Sequence, residues 1–484
     1  MYEEKNNAES FCRAIIGINI EYSKVLANLV MALSSYSGAK SVVGLSESPV
    51  FHFQYSSISD LISHLSKDKK GYTLVQEAFQ KFYVPYLEVH EVNHFQTDGV
   101  NIFREHSACL ENRQLKYKPN NQIVGNKPLG VGYAYSFVNF ADLNSCWSVP
   151  YEIQRLEVAD NLVSVGASQL LKICQSVPFA KSLNVNAADS SYGCAKYLSP
   201  TSKQPNLVSI VRLRHGNKVY PKWEGKPLLG CPKIYGEVSY LIEESGKKSY
   251  LKKEKAYEKQ QKAIYETPAD EFLVMESKTS KGRLLKIELS RWKNHLLRSK
   301  KGFSMKESVF DLVGVRVLDA TDGKRVFQKD MFISVVGERR EEVVLREVFN
   351  EFRHRFDLEV TNRFCKQSLL MESFQTPKVE HLDNWMLVVQ MAMWLLFVSS
   401  KEVGFQCHKW QKYSQPKREE NLPKTACQTK KASEKLFCQF DPTPFLPQKS
   451  KKSEKRKGRQ KGQKQVPRKR FPILKKNKKE VKIE

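Results

Sequence analysis

The sequence predicts an α/β protein, with a mixed five-stranded sheet under flanking helices, interrupted by a β-rich insertion. Three observations predict it. Aromatic and β-branched residues alternate in 93–104, 131–140 and 146–156; helical spacing returns at 158–176; short apolar runs follow at 183–189 and 207–214. Alternation with period two reads as strand, and apolar residues three and four apart read as helix. Three strands, a helix, a strand, a short helix and a fifth strand make one sheet covered by helices.

The elements can be justified in order. Residues 1–85 are helical throughout, in FCRAIIGINIEYSKVLANLVMALSSY, SISDLISHLSK and GYTLVQEAFQKFYVPYL. They form an N-terminal helical domain. Residues 86–214 hold the first part of the core: NHFQTDGVNIFR, VGYAYSFVNF and CWSVPYEIQRL as strands, VADNLVSVGASQLLKICQS as a helix, then LNVNAAD and LVSIVRLR. Residues 215–335 are the insertion. It carries a charged stretch, GKKSYLKKEKAYEKQQKA, then strand-like pieces ending in VGVRVLDATDGKRVFQKDMFISVV, whose DATDGK reads as a hairpin turn. Residues 336–400 return to the core with the helix FRHRFDLEVTNRFCK and an apolar helix at 378–399. From 401 to 484 periodicity is lost and Lys, Gln, Ser and Pro accumulate, which predicts a disordered basic tail.

Composition narrows the partners. In 484 residues, 79 Lys+Arg against 52 Asp+Glu leave +27, and 17 of those bases fall in 449–484. Such charge points to a polyanion. Ten cysteines without a C-x-x-C suit a reducing compartment, and Cys407, His408, Cys427 and Cys438 fit no zinc spacing. The polar start argues against a secretory signal, and the apolar run 385–398 is shorter than the roughly 20 residues a bilayer span needs. The expectation is a cytoplasmic, nucleoid-associated protein with no membrane contact.

Three acids stand out against their surroundings: Asp98 in HFQTDGVNIF, Asp189 at the end of LNVNAAD, and Glu359 in the helix FRHRFDLEVTNRFCK. Singly, Asp98 reads as a turn residue before Gly99 and Asp189 as a helix N-cap. At about 100° per residue, Phe352, Arg355, Glu359 and Lys366 share one sector of their helix, which alone reads as a solvated stripe with one ion pair. In the plan above, the first and fourth strands are central neighbours, so the three acids can form a carboxylate triad. Clustered carboxylates repel unless a cation binds, and oxygen-only ligands favour Mg²⁺ or Mn²⁺. Two such ions suit in-line phosphoryl displacement, with Arg355 and Lys366 on the flanking phosphates.

On these residues the chain resembles bacterial insertion-sequence transposases of the DDE superfamily, with an RNase H-like core. Its likeness is to the subgroup with a β-rich insertion between the second Asp and the Glu. That subgroup's signature is Tyr, two residues, Arg, three residues, Glu, six residues, Lys; Phe352, Arg355, Glu359 and Lys366 keep the spacing with Phe for Tyr. NAADSSYGCAKYL and VSIVRLRHGNKVY are similar to the family's strand-Asp and strand-Arg blocks, which marks Asp189 and Arg212; HFQTDGVNIFREHS is the least specific match. The resemblance implies that Asp98, Asp189 and Glu359 are catalytic metal ligands. It implies cleavage of element ends to free 3′-hydroxyls, strand transfer into target duplex DNA, and a homodimer in the DNA complex. Relatives often pass through a DNA hairpin, for which Trp292 is the candidate base acceptor, against its reading as a core residue. The alternatives are an inactive DNA-binding descendant and an RNase H-like endonuclease without strand transfer.

Overall fold

A computed structural model describes residues 7–67, 69–86, 90–118, 128–225, 233–252, 255–279, 282–404, 424–440 and 469–474. The helices are α1 (Asn7–Ile16), α2 (Ser23–Ser35), α3 (Tyr55–Lys67), α4 (Lys69–Tyr86), α5 (Leu162–Gln175), α6 (Ala195–Thr201), α7 (Leu345–Ser368), α8 (Val379–Ser399) and α9 (Ala426–Phe440). The strands begin with β1 (Val92–Phe103), β2 (Gln114–Tyr117), β3 (Leu129–Asp142), β4 (Trp147–Arg155), β5 (Leu183–Ala188), β6 (Leu207–Leu213) and β7 (Lys218–Pro221). They continue with β8 (Ser239–Tyr240), β9 (Gly246–Lys252), β10 (Lys255–Gln261), β11 (Glu271–Lys278), β12 (Leu284–Leu296), β13 (Phe310–Asp319) and β14 (Met331–Val336). The chain is mixed α/β and divides into two compact units: Met1–Glu88, Gly99–Asp160 and Asp357–Glu484 form the first, Val89–Asp98 and Asn161–Phe356 the second. β1 and α7 each begin in the second unit and end in the first.

In the first unit α8 is the organising element. α1, α2, α3 and α4 pack on it, as does β4. Surrounded in this way, α8 has to be apolar on every side, and nearly all its residues are buried. Two of its polar groups are bonded to β4. The Gln390 amide donates to the carbonyls of Pro150 (3.1 Å) and Tyr151 (2.7 Å), and the Trp394 indole N–H donates to Pro150 O (2.8 Å). These carbonyls sit where the β3–β4 register shifts after Val138, so side chains replace ladder bonds the bulge gives up. By length and composition α8 could cross a bilayer, but 94% of its apolar window is buried in the protein. The unit's sheet runs β2, β3, β1, with β4 on β3.

In the second unit β1 pairs in parallel with β5, and β5 in parallel with β6. The central adjacency of the first and fourth predicted strands is therefore observed. The sheet does not end at β6, as the five-strand plan expects. β14 pairs antiparallel with β6, β13 with β14 and β12 with β13, so the insertion's strands extend the same sheet. Alternation shows that a strand has a face to bury and says nothing of which edge it joins. One face of this sheet carries Leu183, Val185, Val208, Ile210, Val313, Val315, Ile333 and Val335, covered by Leu345, Val348, Phe349 and Phe352 of α7. Each such α7 side chain contributes about 1.5–3 kcal/mol of burial.

DATDGK does form the turn between β13 and β14: Leu318 bridges Arg325, and Gly323 holds the left-handed φ of +70°. Asp319 accepts from the Thr321 N–H (2.8 Å), and the Thr321 hydroxyl, that N–H and Arg283 hold its carboxyl far below the usual range. β9 and β10 pair as a separate two-stranded ribbon from Lys252↔Lys255 to Gly246↔Gln261.

Part of the expected unstructured tail is ordered. Residues 426–440 form α9, which packs on α2 and α8 of the first unit through Gln428, Thr429, Lys430, Ala432, Ser433 and Phe437. A buried face this polar carries no apolar period to read. Lys430 is the extreme case: its Nζ donates to Ser368 O at 2.7 Å while burial lowers its pKa to about 8, against a weaker upward pull from Cys427. A base whose folded pKa is depressed gains folding stability as pH rises between that value and its unfolded one. The cost is full below about pH 8 and fades toward 10.5. The shift corresponds to a cost on the order of 3 kcal/mol at neutral pH. Lys430→Met is thus expected to be about 1–2 kcal/mol more stable at pH 7, after losing one hydrogen bond. Urea midpoints at pH 7.5 and pH 10 check this: wild type should rise between them and the variant should not. The rest of 401–484, apart from 401–404, 424–425 and 469–474, lies outside the described residues.

Candidate functional site

The site is built on the parallel pair β1–β5. Their register runs from Val92↔Leu183 to Thr97↔Ala188; Asp98 follows within β1, and Asp189 follows just past the end of β5. β5 pairs in turn with β6 as far as Ala188↔Val211, and Arg212 follows within β6. Asp98, Asp189 and Arg212 are all half-buried, and each follows directly on the last residue paired between these strands.

α7 covers one face of β1. His94 Nδ1 lies 2.5 Å from Glu351 Oε1, and two residues along β1 the Gln96 amide donates to the His354 carbonyl at 2.8 Å. Asp98 is the next residue of β1 on this side. The opposite face is fixed by a buried polar chain: Thr97 Oγ1 donates to Asn186 Oδ1 (2.8 Å), and Asn186 Nδ2 donates to the Tyr197 hydroxyl (2.7 Å). Burial pushes the Tyr197 phenol well up, so it stays protonated. This network locks β1 to β5 immediately before the acids. Thr97 and Asn186 escaped the sequence reading; the one available signal was a pair of polar residues inside otherwise apolar strands.

Glu359 and Lys366 lie on the first-unit half of α7. Glu359 lines a cavity of about 550 Å³ together with Gly99, Asn101, Tyr117, Arg363 and Lys366. Gly99 is the residue after Asp98. The Lys366 ammonium donates to Asn101 O (2.8 Å) and pairs with Glu372 (3.0 Å), which fixes it on the cavity wall. Arg104, 6% exposed, donates to the carbonyls of Glu372 (2.8 Å) and Phe374 (3.4 Å), holding the turn that carries Glu372. Burial lowers the Arg104 pKa, with Glu372 and two tyrosines pulling the other way.

Arg355 and Phe352 belong to the second unit. The Arg355 guanidinium lies 5.6 Å from the Phe352 ring centroid, and Phe352 is part of the core under α7. Trp292 is a core residue. It is 1% exposed, its indole N–H donates to Thr267 O at 2.8 Å, and Tyr265 packs edge-on against it at 5.2 Å. The structure thus places this side chain in the core, the other reading of Trp292 given above.

The donor set on β1 and β5 fits a hard cation. Carboxylates held close together are mutually repulsive, and their oxygens are the ligands Mg²⁺ or Mn²⁺ prefer. Among the described residues no group of three or more His, Cys, Asp or Glu side chains is drawn together as a metal site. Of the cysteine cluster, Cys427 and Cys438 lie exposed on α9, and Cys407 and His408 lie outside the described residues. No protein-family model matches the chain, and no curated protein matches it.

Proposed function

We propose that this chain is a DNA transposase of the DDE type, with an RNase H-like core, that cleaves the ends of an insertion sequence and joins the freed 3′-hydroxyls to target DNA. The observation that supports the reading is the parallel pairing of β1 with β5 and of β5 with β6 up to the residues that immediately precede Asp98, Asp189 and Arg212. Asp98, Asp189 and, by its spacing in α7, Glu359 would hold Mg²⁺ or Mn²⁺. When bound, the metal supplies the positive charge that activates an attacking oxygen and stabilises a leaving one. The chain's own cations do the rest. Arg212 and Arg355 offer planar guanidinium donors to phosphate oxygens, and Lys366, already fixed by Asn101 and Glu372, offers a point charge. The +27 net charge supports double-stranded DNA as partner, for element ends and target alike. The active assembly in this reading is a homodimer on DNA in the cytoplasm.

The test uses a labelled duplex carrying whatever inverted repeats the DNA flanking the gene contains, incubated with the full chain and Mg²⁺. Wild type should release 3′-hydroxyl ends and join them to a supercoiled plasmid, and Asp189→Asn should do neither. Cleavage without joining would favour the endonuclease reading. Tight binding without cleavage would favour the inactive DNA-binding descendant.

A further inference from the structure

β2 is an edge strand of the first unit's sheet, paired with β3 on one side. Residues 469–474 lie along the stretch just before it, from Ala108 to Arg113, and reach β2 itself at Gln114. The Phe471 N–H donates to Ala108 O (3.0 Å), the Leu474 N–H donates to Arg113 O (2.8 Å), and Leu474 bridges Gln114 in parallel. Pro472, which has no N–H to donate, falls between the two donors and costs no bond. Arg113, 4% exposed, joins the parts: Nη1 donates to the carbonyls of Arg104 and Glu105 at 3.2 Å each, and Nη2 donates to Phe471 O at 3.5 Å. Lys469 lies over the Phe471 ring at 4.9 Å.

Two features make this more than a chain end at rest. The segment is recognised mainly through its backbone, as in strand addition to a sheet edge. It also sits inside the most basic part of the sequence. Of the 17 Lys/Arg in 449–484, ten precede residue 469 and five follow residue 474. We propose that the stretch from Ala108 to Gln114, with Arg113, is a docking site for the chain's own segment 469–474. Docking makes that segment an anchor, from which the basic runs 449–468 and 475–482 are presented to DNA phosphates. The docking stands on the geometry; the anchor's use on DNA rests on the function proposed above. Anchoring raises the effective concentration of its cations at a duplex already held by the core.

The experiment uses the full chain. Hydrogen exchange should show the Phe471 and Leu474 amides protected. Leu474→Pro, which deletes one donor, and Arg113→Ala, which deletes the clamp, should each release Phe471. Excess synthetic peptide 467–478 should do the same in wild type without exposing β3. Unprotected amides in wild type, or protection indifferent to Leu474→Pro and to the peptide, would overturn the docking; this holds even if Arg113→Ala fails to fold. Duplex binding across a salt series then tests the anchor. Leu474→Pro keeps every charge, so its log–log salt slope should match wild type while affinity falls about tenfold. Equal affinity, with docking seen by exchange, would overturn the anchoring role. No DNA binding by wild type would sink the proposed function and the anchor together, leaving the docking to be judged by exchange alone.

Discussion

Glu359→Gln is expected to abolish Mg²⁺-dependent cleavage of element ends while leaving their binding in Ca²⁺ almost intact. The substitution keeps length, shape and helix propensity within α7 and removes the charge that would ligate metal. The expected loss is a thousandfold or more in rate, about 4 kcal/mol of transition-state stabilisation. Lys366→Ala separates the roles of its neighbours. It removes a cation held at 2.8 Å from Asn101 O and 3.0 Å from Glu372, so it should weaken engagement of the cleaved end more than the chemical step. Arg355→Ala should show both losses, because it drops a phosphate contact and alters the helix one turn before Glu359. A solvated stripe would give none of this, only stability changes within about ±0.5 kcal/mol. Cleavage and binding are measured on one labelled end fragment. Full cleavage by Glu359→Gln would remove Glu359 from the catalytic assignment, whatever the signature spacing suggests.

How far these sites could be read in advance depends on what kind of signal each leaves. The strand around Asp98 was legible because aromatic and β-branched residues alternate along β1, and the one before Asp189 because β5 is a short run buried throughout. The central pairing of β1 with β5 followed from the element order. The joining of β14 to β6 did not, because Val and Ile report a buried face and not a partner. β2 was missed for its length: four residues, QLKY, carry too little period to stand out. α9 hides its buried face in Gln, Thr, Lys and Ser, and the docking of 469–474 is mostly backbone, which no side-chain pattern encodes. Trp292 shows the converse limit. Basic neighbours in SRWKNHLLRS suggested a ligand surface, yet register turns its ring into the core.

The largest stability effect should come from the first unit, at Arg155. Arg155 Nε reaches both oxygens of Asp383 at 3.1 Å, and the Tyr135 hydroxyl adds a third bond at 3.0 Å. The group lines a cavity of about 540 Å³ with Tyr72 and Glu152. Burial raises the Asp383 pKa, and Arg155 is the strongest influence holding it down. Burial first, then Asp383 and Glu152, also lift the Tyr72 phenol to about 12. Arg155→Met keeps the aliphatic stem and strands the carboxylate, which should cost about 3–5 kcal/mol at neutral pH. The sign of the pH dependence follows. A carboxyl whose folded pKa lies above its unfolded value favours the fold at low pH and loses that contribution as pH rises through the folded pKa. Removing Arg155 raises the folded value further, so the variant's deficit should be full at pH 7 and shrink as pH falls toward about 4. Asp383→Asn in the Arg155→Met background should recover most of the loss at pH 7, because the stranded group no longer ionises. Urea denaturation of the four proteins of this cycle at pH 7 and pH 4.5 measures it. A deficit equal at both pH values and not relieved by Asp383→Asn would mean that Arg155 acts through packing rather than through its charge.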